Sequence, residues 1–268
     1  MFKTRLISGI ILVIILIATV GTGGNLLLAV LGIVSLIGLS ELYKVMEIQN
    51  KALGVVGYLA TVVYYGMLFT GQMQYMTFLT ILYLVVLMAV YVFSFPAFRS
   101  EQVMTAYFGF FYVAVMLSYI YQTRMLSDGM IVVWLIFLSS WGCDTCAYCA
   151  GMLLGRHKMA PKLSPKKSVE GGIGGVVGAA LLGAIFAVAM NHFVGASASP
   201  AGYAVICAVG GMISQIGDLA ASAIKRNHDI KDYGKLIPGH GGILDRFDSV
   251  IFTAPIIYYL ATYLAGRL

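Results

Sequence analysis

An all-α polytopic membrane protein with about nine transmembrane helices is the fold this chain predicts, on three observations taken together. The first is composition: 60% of the 268 residues are hydrophobic and only 10% are charged, against about 25% charged in a soluble domain, and mean hydropathy is +0.91. The second is spacing. Apolar runs of roughly 20 residues, the length that crosses a hydrocarbon core, recur along the chain between short polar connections. The third is the distribution of Lys and Arg, which favours one side of the membrane through the whole alternation of spans.

In chain order the spans centre near residues 14, 34, 61, 84, 112, 138, 182, 212 and 256. The first follows Lys3 and Arg5 and runs into Val20-Gly21-Thr22-Gly23, the outline of a cleaved leader. A second apolar run starts at once from Leu26, so the first is read as a retained span. With the N-terminus inside, the same side collects Lys44, Lys51, Arg99, Arg156, Lys158, Lys162, Lys166, Lys167, Lys225, Arg226, Lys231, Lys235 and Arg246. That is fifteen of the 17 basic residues, leaving only Arg124 and Arg267 outside. A cytoplasmic N-terminus follows from the positive-inside rule. The net charge of +6 is then a matter of topology, with membrane lipids as surroundings and no nucleic-acid partner implied.

Residues 1–125 form a block of spans without a catalytic motif, and residues 126–268 form a second half dense in carboxylates, basic residues and glycine. Its first dense stretch, WGCDTCAYCAGMLLGRHKMAPKLSPKKSVEGGIGG, spans residues 141–175. Trp141, Asp144 and Tyr148 stand three and four apart, which predicts one helical face. Asp144 lies inside an apolar segment, where an ionised carboxylate costs about 2.5–3.5 kcal/mol on insertion scales, so it is expected to line a polar cavity. Cys143, Cys146 and Cys149 recur on the same helix and read as reduced, small packing residues rather than a zinc site. Lys166 and Lys167 belong to a basic loop interrupted by Pro161 and Pro165. Charge alone leaves that loop open between a lipid-headgroup anchor and a polyphosphate clamp. Gly171 with Gly175, and Gly174 with Gly178, suit close helix packing, though a backbone phosphate cradle has the same composition. Ser168 reads as an N-cap and Glu170 as a first-turn acid.

The second dense stretch is SQIGDLAASAIKR, residues 214–226, where Gln215, Asp218, Ser222 and Lys225 make one polar stripe on an apolar helix. The third is PGHGGILDRFDS, residues 238–249. Asp245 and Asp248 are three apart, so on a helix begun by Asp245 both carboxylates share a face and Arg246 turns aside; the pair then needs a proton or a cation. Carboxylates beside glycine-rich backbone and Lys or Arg are what phosphoryl or nucleotidyl transfer uses. Oxygen donors hold Mg²⁺, and the metal neutralises charge on substrate phosphates. His240 fits a phosphate contact or a proton shuttle, and equally a loop position held for backbone reasons.

The stretch SAIKRNHDIKDYGKLIPGHGGILDRFD, Ser222 to Asp248, resembles the signature of the phosphatidate cytidylyltransferase family, also called CDP-diacylglycerol synthases, and DTCAYCAGMLLGR and SPKKSVEG resemble its upstream blocks. The resemblance covers residues 141–249. It implies that phosphatidic acid attacks the α-phosphorus of CTP, giving CDP-diacylglycerol and pyrophosphate, with Mg²⁺ required, a second metal ion allowed, and a homodimer in the bacterial inner membrane with its active site toward the cytoplasm. It makes Asp144, Asp218, Asp245 and Asp248 the metal ligands. Lys166, Lys167, Lys225, Arg226, Lys231 and Arg246 become phosphate contacts, with His240, Ser222, Tyr148, Gly241 and Gly242 completing the site. Two rival classes share some of these features: a CTP-dependent polyprenol or dolichol kinase, which needs a base for an alcohol, and a cation-coupled transporter, which uses intramembrane acids as an ion path.

Overall fold

The computed structural model of the chain describes residues 2–239 and 241–264, with side chains from residue 7 to residue 263. His240 and Arg267, both singled out above, lie outside the described residues. Each expected span centre falls inside a helix. The long helices are α1 (Phe2–Thr22), α2 (Gly24–Val45), α3 (Ala52–Thr70), α4 (Met76–Phe93), α9 (Val169–Val194), α10 (Pro200–Asn227) and α11 (Leu244–Leu264). Two further spans are interrupted: α5 (Ser100–Gly109) and α6 (Met116–Arg124) join through a π-helical turn at Phe110–Val115, and α7 (Gly129–Phe137) and α8 (Cys143–Leu154) through another at Leu138–Gly142. Among the described residues, seven segments are long and apolar enough to cross a membrane, and Ile7–Thr22 is a shorter apolar helix. The protein is an α-helical membrane protein.

Two departures from the expected pattern appear. The basic stretch is a small antiparallel hairpin, β1 (Lys158–Ala160) and β2 (Ser164–Ser168), instead of a plain loop. The turn between its strands takes Pro161, and Pro165 near the start of β2 gives up a donor that a two-stranded ribbon can spare. The second departure concerns Trp141. A π turn carries an extra residue per turn and shifts the phase of the side chains, and Trp141 lies within one. It therefore lines a separate apolar cavity with Phe137 and Leu182, while Asp144 and Tyr148 line another.

The chain divides into two compact units. The first runs to Tyr121 and takes back residues 232–246; the second comprises residues 122–231 and continues from Phe247. Within the first, buried tyrosines make hydrogen bonds between helices: Tyr43 and Tyr83 both donate to Ala106 O, at 2.8 and 2.7 Å, and the Tyr64 and Ser118 hydroxyls pair at 2.7 Å. A hydroxyl in an apolar interior is costly without a partner, so these bonds fix which helices adjoin.

The second unit is held by small residues. A Cβ on Gly175 would stand 2.8 Å from Ala147 Cβ and 2.9 Å from Cys143 Sγ, and one on Gly178 would strike Cys146. On the other side of the same thiol, a Cβ on Gly211 would lie 3.3 Å from Cys143 Sγ. The glycine stripe and the cysteines thus serve as the contact by which α8, α9 and α10 approach one another. Cys143 and Cys207 are buried, and all four cysteines are free thiols. Near α11, the Ser140 and Ser249 hydroxyls pair at 2.7 Å across the buried interior.

Candidate active site

Within the second unit, α8, the hairpin, the start of α9 and the middle of α10 enclose a cavity of about 510 Å³. The sequence stripes explain its walls. On α8, Asp144, Tyr148 and Met152 follow four-residue spacing and face it; on α10, Gln215 and Asp218 do the same at spacing three. Lys166 and Lys167 arrive from β2, where side chains alternate, so the half-buried Lys167 and the exposed Lys166 differ in environment although both line the cavity.

Two caps hold the mouth. Ser168 Oγ accepts the Gly171 N–H at 3.2 Å, the N-cap expected at the start of α9. Glu170, in the first turn, reaches back to accept the N–H groups of Arg156 and His157, at 3.1 and 3.2 Å, and meets His157 Nδ1 at 2.6 Å. The hairpin is thereby fastened to the helix it precedes. Gly171 and Gly172 are close-approach positions: a Cβ at Gly171 would stand 2.9 Å from Ala147 O, and one at Gly172 2.8 Å from Gln215 Oε1. Gln215 in turn donates to Gly172 O at 2.9 Å.

The electrostatic centre of the cavity is an ion pair between Lys167 Nζ and Asp218 Oδ2, both about a quarter exposed. Asp248, buried on α11, accepts the Ser249 N–H at 2.8 Å. Asp218, Lys225 and Asp144 all lie within coulombic range of Asp248. Three carboxylates, Asp144, Asp218 and Asp248, thus gather with three lysines, Lys166, Lys167 and Lys225, in this part of the second unit. The carboxylates are hard oxygen donors, the kind that suits a divalent cation such as Mg²⁺. Among the described residues, no three His, Cys, Asp or Glu side chains form a finished ligand shell; Lys167 supplies compensating charge at Asp218 instead. Ser222 is half-buried on the same stripe of α10. Arg226 and Lys231 are exposed, and Arg226 Nη1 donates to Ile230 O at 3.5 Å.

The remaining predicted residues, Gly241, Gly242, Asp245 and Arg246, belong to the first unit. There the start of α11 is organised by a residue the sequence did not point to. Glu41, buried on α2, accepts Ile243 N–H on Oε1 at 3.0 Å and Leu244 N–H on Oε2 at 2.8 Å. It caps a helix 202 residues away. Gly234 and Gly242 make room for it, since a Cβ at either position would run into its carboxylate. Asp245 Oδ2 accepts the N–H groups of Tyr233 and Gly242, each at 2.9 Å, and so ties the preceding loop to the helix. Gly241 has φ +85, a conformation that costs little only without a side chain. Arg246 is exposed, turned aside as the spacing predicts. One signal for Glu41 was available: an acid inside an apolar span asks for a partner. Its partners were backbone groups, which no motif records.

A model described as the cytidylyltransferase family matches residues 3–264. Among relatives, a phosphatidate cytidylyltransferase of Staphylococcus epidermidis is 32% identical over 268 aligned residues, covering 96% of this chain and 98% of that one. One of Staphylococcus aureus is 32% identical over 273, with the same shares. A third, of Staphylococcus saprophyticus, is 37% identical over a shorter stretch of 149 residues, 56% of this chain and 55% of the relative.

Proposed function

This chain belongs to the cytidylyltransferase family, and from that premise we propose that it transfers the cytidylyl group of CTP to phosphatidic acid, giving CDP-diacylglycerol and pyrophosphate. The observation that carries the reading is the cavity of the second unit, where Lys166 and Lys167 converge with Asp144 and Asp218 in about 510 Å³, a volume in the usual range for a small-molecule site.

In the reaction, an anionic oxygen of the lipid phosphate forms a bond to the α-phosphorus of CTP. The bond from that phosphorus to the α–β bridging oxygen breaks, and its electron pair leaves with pyrophosphate. The nucleophile is already ionised, so no side chain has to remove a proton. The work of the protein is therefore binding, alignment and charge compensation. Lys167 exchanges Asp218 for a CTP phosphate, and Lys166 adds a second cation at the cavity edge. Lys225, Arg226 and Lys231 supply further phosphate contacts, with Ser222 and Tyr148 completing the set in the second unit. Asp144, Asp218 and Asp248, all in the second unit, would hold Mg²⁺, with a second ion allowed; when bound, the cation would neutralise charge on the phosphates.

The same reading includes nine spans, a cytoplasmic N-terminus, an active site toward the cytoplasm in a bacterial inner membrane, and a homodimer. Support for the sidedness comes from the distribution of basic residues. The assay uses purified protein in detergent with phosphatidic acid and CTP radiolabelled at the α- or, separately, the γ-phosphorus. Label entering lipid from the α position alone is expected. Entry from the γ position alone would identify a lipid kinase and overturn the proposal.

A further inference from the structure

We propose that the first unit carries a binding groove for an anionic glycerophospholipid, its phosphate held by Lys44 and Lys235 and an acyl chain laid along the α2–α3 face. Two cavities carry this inference, one of about 780 Å³ and one of about 470 Å³, which adjoin at Leu36 and Val62, residues that line both. Their linings differ in kind. The larger presents Lys44, Lys235, Asn50 and Gln49 at one end. The smaller lies between Leu28, Ile33 and Phe69 and has no charged residue in its wall.

The polar end is preorganised. Gln49 Nε2 donates to Ser40 Oγ at 2.7 Å, and Tyr58 OH donates to Gln49 O at 3.1 Å. Lys44 and Lys235 are exposed there. Glu41 also borders this end, but its two carboxylate oxygens are turned to the N–H groups of Ile243 and Leu244. Lys44 lies within coulombic range of Glu41, which offsets part of its charge, so the two lysines leave the mouth positive by about one charge. From Lys44 back to Leu28, α2 rises by roughly 24 Å at 1.5 Å per residue, more than the ~15 Å of a single leaflet's hydrocarbon. A free phosphate would use only the mouth of such a groove, and a neutral lipid only its walls. An amphiphile with a phosphate head and a long apolar tail uses both. Lysine beside anionic headgroups is a recognised source of lipid selectivity, and the apolar wall adds binding in proportion to the area covered. Neither lysine belongs to the proposed catalytic set.

The test is lipid retention by the full-length protein in a neutral detergent, read by native mass spectrometry. Phosphatidic acid, phosphatidylglycerol and phosphatidylcholine of matched chains are titrated against wild type, a Lys44→Gln/Lys235→Gln double variant and Val62→Trp. Wild type is expected to retain both anionic lipids about tenfold better than phosphatidylcholine. The lysine variant should fall to the phosphatidylcholine level, Val62→Trp should lower retention of all three lipids, and CTP affinity should stay unchanged in both. A preference for phosphatidic acid over phosphatidylglycerol would assign the groove to the phosphomonoester; equal retention would assign it to anionic phospholipids generally. Wild-type retention in both variants, equal retention of phosphatidylcholine, or displacement of lipid by millimolar inorganic phosphate would each overturn the proposal. Failure of the cytidylyl assay with retention intact would overturn the transfer reading alone.

Discussion

Glu41 illustrates how much one side chain can organise. A carboxylate at a helix start satisfies N–H groups that have no partner within the helix and meets the positive end of its dipole, and Glu41 does this for α11 with both oxygens. Glu41→Gln keeps the shape but loses the charge, and Glu41→Ala loses both bonds. Unfolding in detergent should show a loss of about 1–3 kcal/mol for the glutamine and a larger one for the alanine; equal stability to wild type would remove the cap from the account. Lys167 and Asp218 make a second test. Their shared ion pair predicts that Lys167→Met and Asp218→Asn are not additive in CTP binding, with a coupling of roughly 1 kcal/mol or more. Lys166→Ala should raise the KM for CTP less than Lys167→Ala, because Lys166 is exposed. The sequence named both lysines but offered no way to rank them, since strand alternation becomes visible only when β2 exists. Spacing suggested Asp245 and Asp248 as a pair; the further partners of Asp245, the N–H groups of Tyr233 and Gly242, depend on a loop path that spacing does not encode.

Among the elements, the helices were legible and the irregular pieces were not. A run of roughly 20 apolar residues has few alternatives in a bilayer, because every backbone polar group must be satisfied internally. The hairpin at 158–168 escaped because lysine and proline both disfavour strands. Its stability comes from partners outside it, namely Val169 N–H on His157 O at 2.9 Å and the Glu170 contacts. Glu170→Gln should therefore loosen the hairpin, seen as faster proteolysis between Arg156 and Lys167 with the helical signal unchanged. The glycine stripe of α9 was legible as packing, although its composition fits phosphate equally well; the distances to α8 decide for packing. Gly178→Leu should cost about 1–3 kcal/mol by overpacking against Cys146. Ile185→Ala, on the exposed side of the same helix, should cost much less. Comparable losses in the two variants would count against the stripe as the contact surface.

For the whole molecule, sidedness is the property most open to test. Ser197 precedes α10 and Asn227 ends it, and its 28 residues span roughly 42 Å, enough to cross the ~30 Å hydrocarbon core. Single cysteines at the two positions, in a cysteine-depleted background, are expected to react with an impermeant thiol reagent from opposite sides of the membrane. Labelling of both from one side would overturn the nine-span arrangement. The reach of Glu41 also bears on how the protein is made. Its helix leaves the ribosome before the N–H groups it serves, which belong to residues 243 and 244, 202 and 203 positions further on. During that interval the carboxylate lacks its final partners, at a cost of several kcal/mol if held ionised in hydrocarbon. It must wait protonated or in contact with water. The first unit thus closes only when residues 243 and 244 have been made, and the insertion machinery handles an incomplete helix cluster throughout the 202 residues between.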